Sequence, residues 1–279
     1  MNGVVDAHFH VWRGTVLHQP GVLGELFADD YGWEDYASAH GNVPVEAAIA
    51  VQADTDVSDG EPEVEFLESV AAKHPQLRGI IAAAPIEADD ARDKLAALKR
   101  HPLVKGVRRT VHHVTDPDVW AQPSFIRGAQ MLAEFGLVCD MNAHHFQLAG
   151  ALTAARQAPD TAIVLNHIGK PDITKDDFDE WRAGLDPFAD LANASIKLSL
   201  VTPVGTEPDW STERLAPYVA HVLGRFGPRR VIWTSNWPVA GRVIGYEAWY
   251  EAAQTFTAHL SESDRRGIFH DNAARIYGL

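Results

Sequence analysis

The sequence has one cysteine among its 279 residues, so no disulfide can close within the chain. That residue, Cys139, follows Leu137 and Val138, and a buried, unreactive thiol is expected there. Basic residues are in deficit: 24 Lys and Arg stand against 38 Asp and Glu, a formal charge of −14 with histidines neutral. Such a field repels phosphate backbones and anionic headgroups, so neither a nucleic acid nor a membrane is an expected partner. Long apolar runs are missing too. The stretch from Ile80 to Ala84 is typical, far below the roughly 18 to 20 residues that cross a bilayer. Met1, Asn2 and Gly3 lead straight into Val4 without a basic and then apolar segment, and a cytoplasmic setting is expected. No Gly-x-Gly-x-x-Gly follows any apolar run, which leaves a dinucleotide-binding open sheet without local support. Repeats, low-complexity tracts and linkers are absent, and the pairs Asp29-Asp30 and Asp176-Asp177 read as solvated faces or helix starts.

What the sequence does contain is 46% hydrophobic and 22% charged residues, the balance of a compact chain with a sizeable core. Short aliphatic runs bounded by Gly, Pro, Asp or Asn predict strands near Val4 to Ala7, Ala47 to Gln52, Gly79 to Ala83 and Val104 to Arg108. Four more are predicted near Leu137 to Asn142, Ala162 to His167, Ser195 to Leu200 and Val231 to Ser235. Between them, Glu63 to Lys73, Asp90 to Arg100, Phe125 to Phe135 and Glu247 to Leu260 carry apolar residues at helical spacing. The strands are continuously apolar, as parallel strands covered on both faces must be. Eight such units, repeating at roughly the thirty residues of a βαβ crossover, predict one α/β domain over residues 1–279, a (β/α)8 TIM barrel.

A barrel of this kind gathers the carboxyl ends of its strands on one face and builds its site there. Of the fourteen histidines, His8, His10, His112, His113, His144, His145 and His167 fall at or just past those ends. In Val4-Val5-Asp6-Ala7-His8-Phe9-His10 the two histidines are two apart, so an extended chain presents both imidazoles to one side. Two polar residues satisfied by backbone or water would be the structural alternative. In the run from Ile163 to Pro171, His167 ends an apolar strand and shares a side with Ile163 and Leu165 if that strand is regular. The eighth strand runs into Ser235-Asn236-Trp237-Pro238, where Asn236 by itself could be a turn residue bonding nearby backbone.

Taken together, the early His-x-His, the strand-six histidine ahead of Gly169-Lys170-Pro171 and the Ser-x-Trp-Pro of strand eight resemble the amidohydrolase superfamily. The resemblance is to its amidohydrolase-2 type lactonase branch, which hydrolyses sugar lactones and 2-pyrone-4,6-dicarboxylate lactone. It runs from residue 4 to about residue 239, with Val51-Gln52-Ala53 and Gly106-Val107-Arg108 also similar to that branch. It implies a hydrolase in which a strand-eight aspartate activates water, assisted by the histidines carried here by His8, His10 and His167. This sequence departs from the pattern at that aspartate. Residue 236 is Asn, and a carboxamide can position a water but cannot take its proton. An engineered inactivating substitution and a natural departure that changes or abolishes the reaction both account for it. The intact remainder of the site favours the first.

The resemblance also implies one divalent metal, zinc or manganese, held by His8, His10, His167 and residue 236, or a metal-independent site using the same residues directly. Substrate contacts are expected from Gln52, Arg108, His112, His144, His145 and Ser199, with Trp12 and Trp237 as walls. Neighbouring strand residues face opposite ways, so Arg108 is chosen over Arg109 to hold a carboxylate or a lactone oxygen. Asn166, directly before His167, is read as structural. The expected partner is a small-molecule lactone or carboxylic acid, and a homo-oligomer is compatible with the sequence. A metal-dependent decarboxylase, a lactone isomerase and a catalytically silent ligand-binding protein are the rival readings.

Overall fold

The apolar runs pair, in chain order, as one eight-stranded parallel sheet. The computed structural model describes residues 3–13, 29–53, 60–111, 114–173, 177–199 and 211–279. The strands are β1 (Val4–Phe9), β2 (Val45–Val51), β3 (Leu77–Ala82), β4 (Val104–Val107), β5 (Val138–Met141), β6 (Ile163–Leu165), β7 (Ala194–Leu198) and β8 (Val231–Trp233). Each pairs in parallel with the next, and β1 meets the continuation of β8 through a parallel bridge between Phe9 and Trp237. The sheet therefore closes as the (β/α)8 barrel that the repeating pattern predicts.

Around it lie α1 (Trp33–His40), α2 (Gly60–Ala71), α3 (Ala91–Leu98), α4 (Pro123–Glu134), α5 (Leu148–Gln157), α6 (Phe178–Ala189), α7 (Thr212–Phe226) and α8 (Tyr246–Phe256). Two short helices, α9 (Glu262–Arg266) and α10 (Asn272–Tyr277), follow. The four helices expected from periodicity correspond to α2, α3, α4 and α8, with ends shifted by a few residues. Val5, Ala7, Ala47, Ile49, Val51, Ile81, Val138, Val164 and Ile232 fill the barrel, and Tyr277 of α10 packs into the same cluster. Alternate residues such as Ile163, Leu165, Ile196 and Leu198 belong to the larger core between sheet and helices. Cys139 is buried and unpaired, and burial pushes its thiol up to about 12. Among the described residues no helix is long and apolar enough to cross a membrane.

Candidate active site

The β1 histidines reach the barrel mouth through an irregularity. Between Asp6 and Phe9, β1 advances three residues while β2 advances two, from Ala48 to Ala50. Such a bulge lets two successive residues face the same way. Ala7 lies in the barrel interior and Phe9 in the outer core, while His8 contacts residues of the interior and of the strand ends. His8 and His10 thus do share a side, with their Nε2 atoms 3.1 Å apart. His10 Nδ1 is 2.8 Å from the Val51 carbonyl.

His167 arrives differently from the regular-strand expectation. Ile163 and Leu165 face the helices, so a regular continuation would carry His167 outward with them. The strand instead stops at Leu165, and His167 and Ile168 take φ of 54° and 48°, a left-handed turn that brings the His167 ring 4.7 Å from that of His8. Non-glycine residues in that region cost about 1–3 kcal/mol each, so the turn must be held from outside. Trp181 of α6 does so by donating to the Ile168 carbonyl at 2.8 Å. Asn236, with φ of 53°, occupies a similar turn after β8, braced by Trp249 of α8 donating to the Thr234 carbonyl at 2.8 Å.

The seam between β1 and β8 is tied by Asn236 N–H donating to the His8 carbonyl and His10 N–H to that of Trp237, each at 2.8 Å. Asp6 reinforces it. Its buried carboxylate accepts from the Ser235 and His8 amides and from the hydroxyls of Tyr36 and Tyr246. Burial pushes the Asp6 carboxyl up, against the pull of its bonds to Ser235 and Tyr246. Both tyrosines are held well above their usual range, by burial first and the Asp6 charge second, and stay protonated donors.

Arg108, 4% exposed, donates from Nη2 to the Gln52 carbonyl at 2.5 Å and places Nη1 3.4 Å from His8 Nε2. Arg109 turns away to pair with Glu87 at 2.7 Å. Gln52 sends its side chain to Thr110, and Ser199 sits 2.6 Å from His167 Nδ1. His144 stacks on Phe146, and His145 Nδ1 lies 3.3 Å from the Lys170 carbonyl, both on the turn after β5. Trp12 and Trp237 flank Tyr31, at ring separations of 4.8 and 5.7 Å. The expected contact His112 lies outside the described residues, as does His113. Asn166 is buried, and among the described residues neither atom of its carboxamide has a hydrogen-bond partner.

Sequence reasoning missed a buried ion pair beneath the histidines. Lys197 of β7 donates to both oxygens of Asp140 of β5, at 2.9 and 2.8 Å, and its Nζ is 3.3 Å from His8 Nδ1. Tyr277 donates to the same Asp140 at 2.7 Å. A lysine between Ile196 and Leu198 and an aspartate between Cys139 and Met141, both charges inside apolar strands, were the available signals.

Burial drives the imidazoles toward the neutral form. His8 and His167 lie well below the usual histidine range, with Lys197 and Lys170 respectively adding to burial, and His10 is pushed down to about 3 by burial and then Arg108. The site thus combines neutral imidazoles with a buried guanidinium. A divalent cation does not fit this arrangement as it stands. Among the described residues no three His, Cys, Asp or Glu side chains converge to hold an ion. Residue 236 offers a carboxamide rather than a charge, and the cations Arg108 and Lys197 flank His8.

The family model described as Amidohydrolase matches residues 5–279. The chain belongs to the amidohydrolase family. Lactonases are among its relatives, in line with the resemblance of its motifs. An L-fucono-1,5-lactonase of Burkholderia ambifaria is 28% identical, over 99% of this chain and 95% of that protein. An uncharacterized protein of Sinorhizobium fredii is 30% identical over 98% of each. Among solved structures, an amidohydrolase of Burkholderia multivorans with bound zinc superposes with a TM-score of 0.86, at 23% identity and 99% coverage of both chains, a likeness of fold.

Proposed function

We propose that this amidohydrolase is a lactonase that opens a sugar-derived or dicarboxylate lactone by water attack, with Asn236 standing where a carboxylate would take the proton. The observation that carries the reading is the buried Arg108 guanidinium beside neutral His8, at the mouth where Asn236 hydrogen-bonds His10. Lactone hydrolysis develops negative charge on the carbonyl oxygen and leaves a carboxylate product. A permanently charged, partly desolvated Arg108 suits both. The neutral imidazoles of His10 and His167 serve as hydrogen-bond partners for substrate and water, and the Trp12–Tyr31–Trp237 wall offers an apolar face to the ring.

Asn236 orients water by its carboxamide and leaves the proton without an acceptor of useful basicity. His10 is a poor substitute, because its ring is held at about 3. The chain as it stands is therefore base-deficient in this reading. The test is proton release from a panel of aldono- and dicarboxylate lactones, comparing Asn236→Asp with the unaltered chain, with and without zinc. The aspartate variant is expected to turn over about 10²–10⁴-fold faster, the range of one positioned general base. Equal turnover in both would move the base to a histidine. Silence in both would overturn the lactonase reading in favour of decarboxylation, isomerisation or simple ligand binding.

A further inference from the structure

We infer that the amino-terminal end of the barrel carries a second binding site, for a phosphate group, in a hollow walled by Arg229, Arg230 and Arg275. It is separate from the histidine site and goes beyond the proposed function.

The hollow has a volume of about 560 Å³ and lies between the turn that leads into β8 and the helices α9 and α10. Small-molecule sites typically span about 300–1,000 Å³. Residues 228–230 precede β8, whereas the histidines follow the carboxyl ends of their strands, so the two sites occupy opposite ends of the barrel. The charged groups of the lining are the three arginines and one carboxylate, Asp264.

That concentration of positive charge runs against the rest of the chain, whose formal charge is −14. Arginines elsewhere find carboxylates: Arg92 pairs with Glu134, Arg109 with Glu87 and Arg225 with Asp186. Among the described residues, none of the three arginines of the hollow has such a partner, and each is held by carbonyls or left open. Arg230 is the fixed member. Its guanidinium donates to the carbonyls of Ala189, Leu191 and Phe226 at 2.7, 2.8 and 3.1 Å, where α6 and α7 end. Those helix ends soften its charge and take its donors, so Arg230 contributes a field rather than a hydrogen bond to a ligand. Asp190, whose charge also acts on Arg230, is committed to Arg225 at 3.2 Å. Arg275 donates from Nη2 to the Arg229 carbonyl at 2.9 Å, which lays its side chain across the turn and leaves its other N–H groups to a ligand. The Arg229 side chain is exposed and makes no hydrogen bond among the described residues.

Two guanidinium groups from different elements, backed by a third charge, suit a tetrahedral dianion. A phosphate group carries about −1.5 to −2 at pH 7 and offers oxygens in several directions, where a carboxylate offers a single plane. Asp264 opposes it, and its carboxylate is held in the cap of α9 by Ser261 at 2.7 Å. Phe226, Gly227 and Pro228 complete the lining without charge, and a Cβ on Gly227 would meet nothing within 4 Å. Space therefore remains over the turn for an organic group esterified to the phosphate.

The experiment is titration calorimetry on the full chain with inorganic phosphate, glucose 6-phosphate and citrate, at one fixed salt concentration of about 0.1 M. Phosphate and its ester are expected to bind with Kd below about 1 mM. A tighter ester identifies a phosphorylated small molecule as the occupant, and an ester no tighter than phosphate identifies the free ion. Citrate binding as tightly as phosphate would overturn the phosphate assignment, and no binding by any of the three would overturn the site. Arg229→Gln, at an exposed position, should weaken phosphate about tenfold, the scale of one charge-assisted hydrogen bond. Asp264→Asn removes the opposing charge and should tighten it several-fold. Opposite signs distinguish a site from a general disturbance of this surface. If both variants bind as the unaltered chain does, the anion sits elsewhere and the inference fails. Neither variant should change lactone turnover in the Asn236→Asp background, and the binding result stands whether or not that turnover is found.

Discussion

At the residue scale, the site is governed by which groups carry charge in the absence of water. The imidazoles are neutral and Arg108 is not, so the guanidinium is the group best suited to a developing oxyanion. Replacing it should cost more than replacing an imidazole partner. In the Asn236→Asp background, Arg108→Met is expected to lower kcat/KM about 10²–10³-fold, as loss of one oxyanion donor does elsewhere. Steady-state kinetics on the best lactone of the panel would check this, and a loss below about threefold would remove Arg108 from the transition state. Arg108 and Arg109 also illustrate how far a strand pattern reaches. Alternation alone separated them, and in the structure one is 4% exposed against His8 while the other pairs with Glu87.

At the scale of the element, the strand ends are held by outer helices, through indole donors that no local pattern identifies. Trp181 supports the left-handed turn of His167 and Ile168 across 2.8 Å. Trp181→Phe keeps an aromatic core residue and removes that donor. It should destabilise the fold by about 1–3 kcal/mol, read from the urea midpoint, and an unchanged midpoint would mean that the turn is held by other contacts. Helix α4 shows a packing constraint of another kind. A Cβ on Gly128 would sit 2.2 Å from the Ile86 carbonyl oxygen, so this glycine lets the helix lie directly on the loop after β3. Gly128→Ala should therefore destabilise, by about 1–3 kcal/mol in thermal melts, although alanine is the better helix former.

For the whole molecule, the buried histidines make stability depend on acidity. In the unfolded chain each imidazole protonates near its ordinary value of 6.5, whereas native His10 resists protonation down to about 3, and His8 and His167 are shifted the same way. Between those limits the unfolded state binds more protons, so this stability is fully present above pH 6.5 and is lost as the pH falls. His10 alone contributes a slope of about 1.4 kcal/mol per pH unit in that window. Asp6, raised by burial, acts in the opposite sense at the acid end. Urea unfolding from pH 7 to pH 4.5 should show a steep fall. A flat profile would mean that these rings are solvated or already charged in the native state.

The barrel was legible in the sequence because eight apolar runs at crossover spacing leave few other ways to bury them. The histidine-rich strand ends were legible because parallel strands carry all their carboxyl ends to one face. The motifs themselves marked His8, His10, His167 and Asn236. What only the tertiary structure decided was orientation and partnership. The bulge in β1 sets Ala7 and His8 against strict alternation, and the left-handed turn after β6 sends His167 away from the side shared by Ile163 and Leu165. Asp140, Lys197 and Tyr277 meet across residues 140 to 277 of the chain, at distances that no local pattern encodes. Periodicity records which side of a regular element a residue occupies. A bulge, a turn at positive φ and a buried charge pair are each settled by what packs against them from distant parts of the chain.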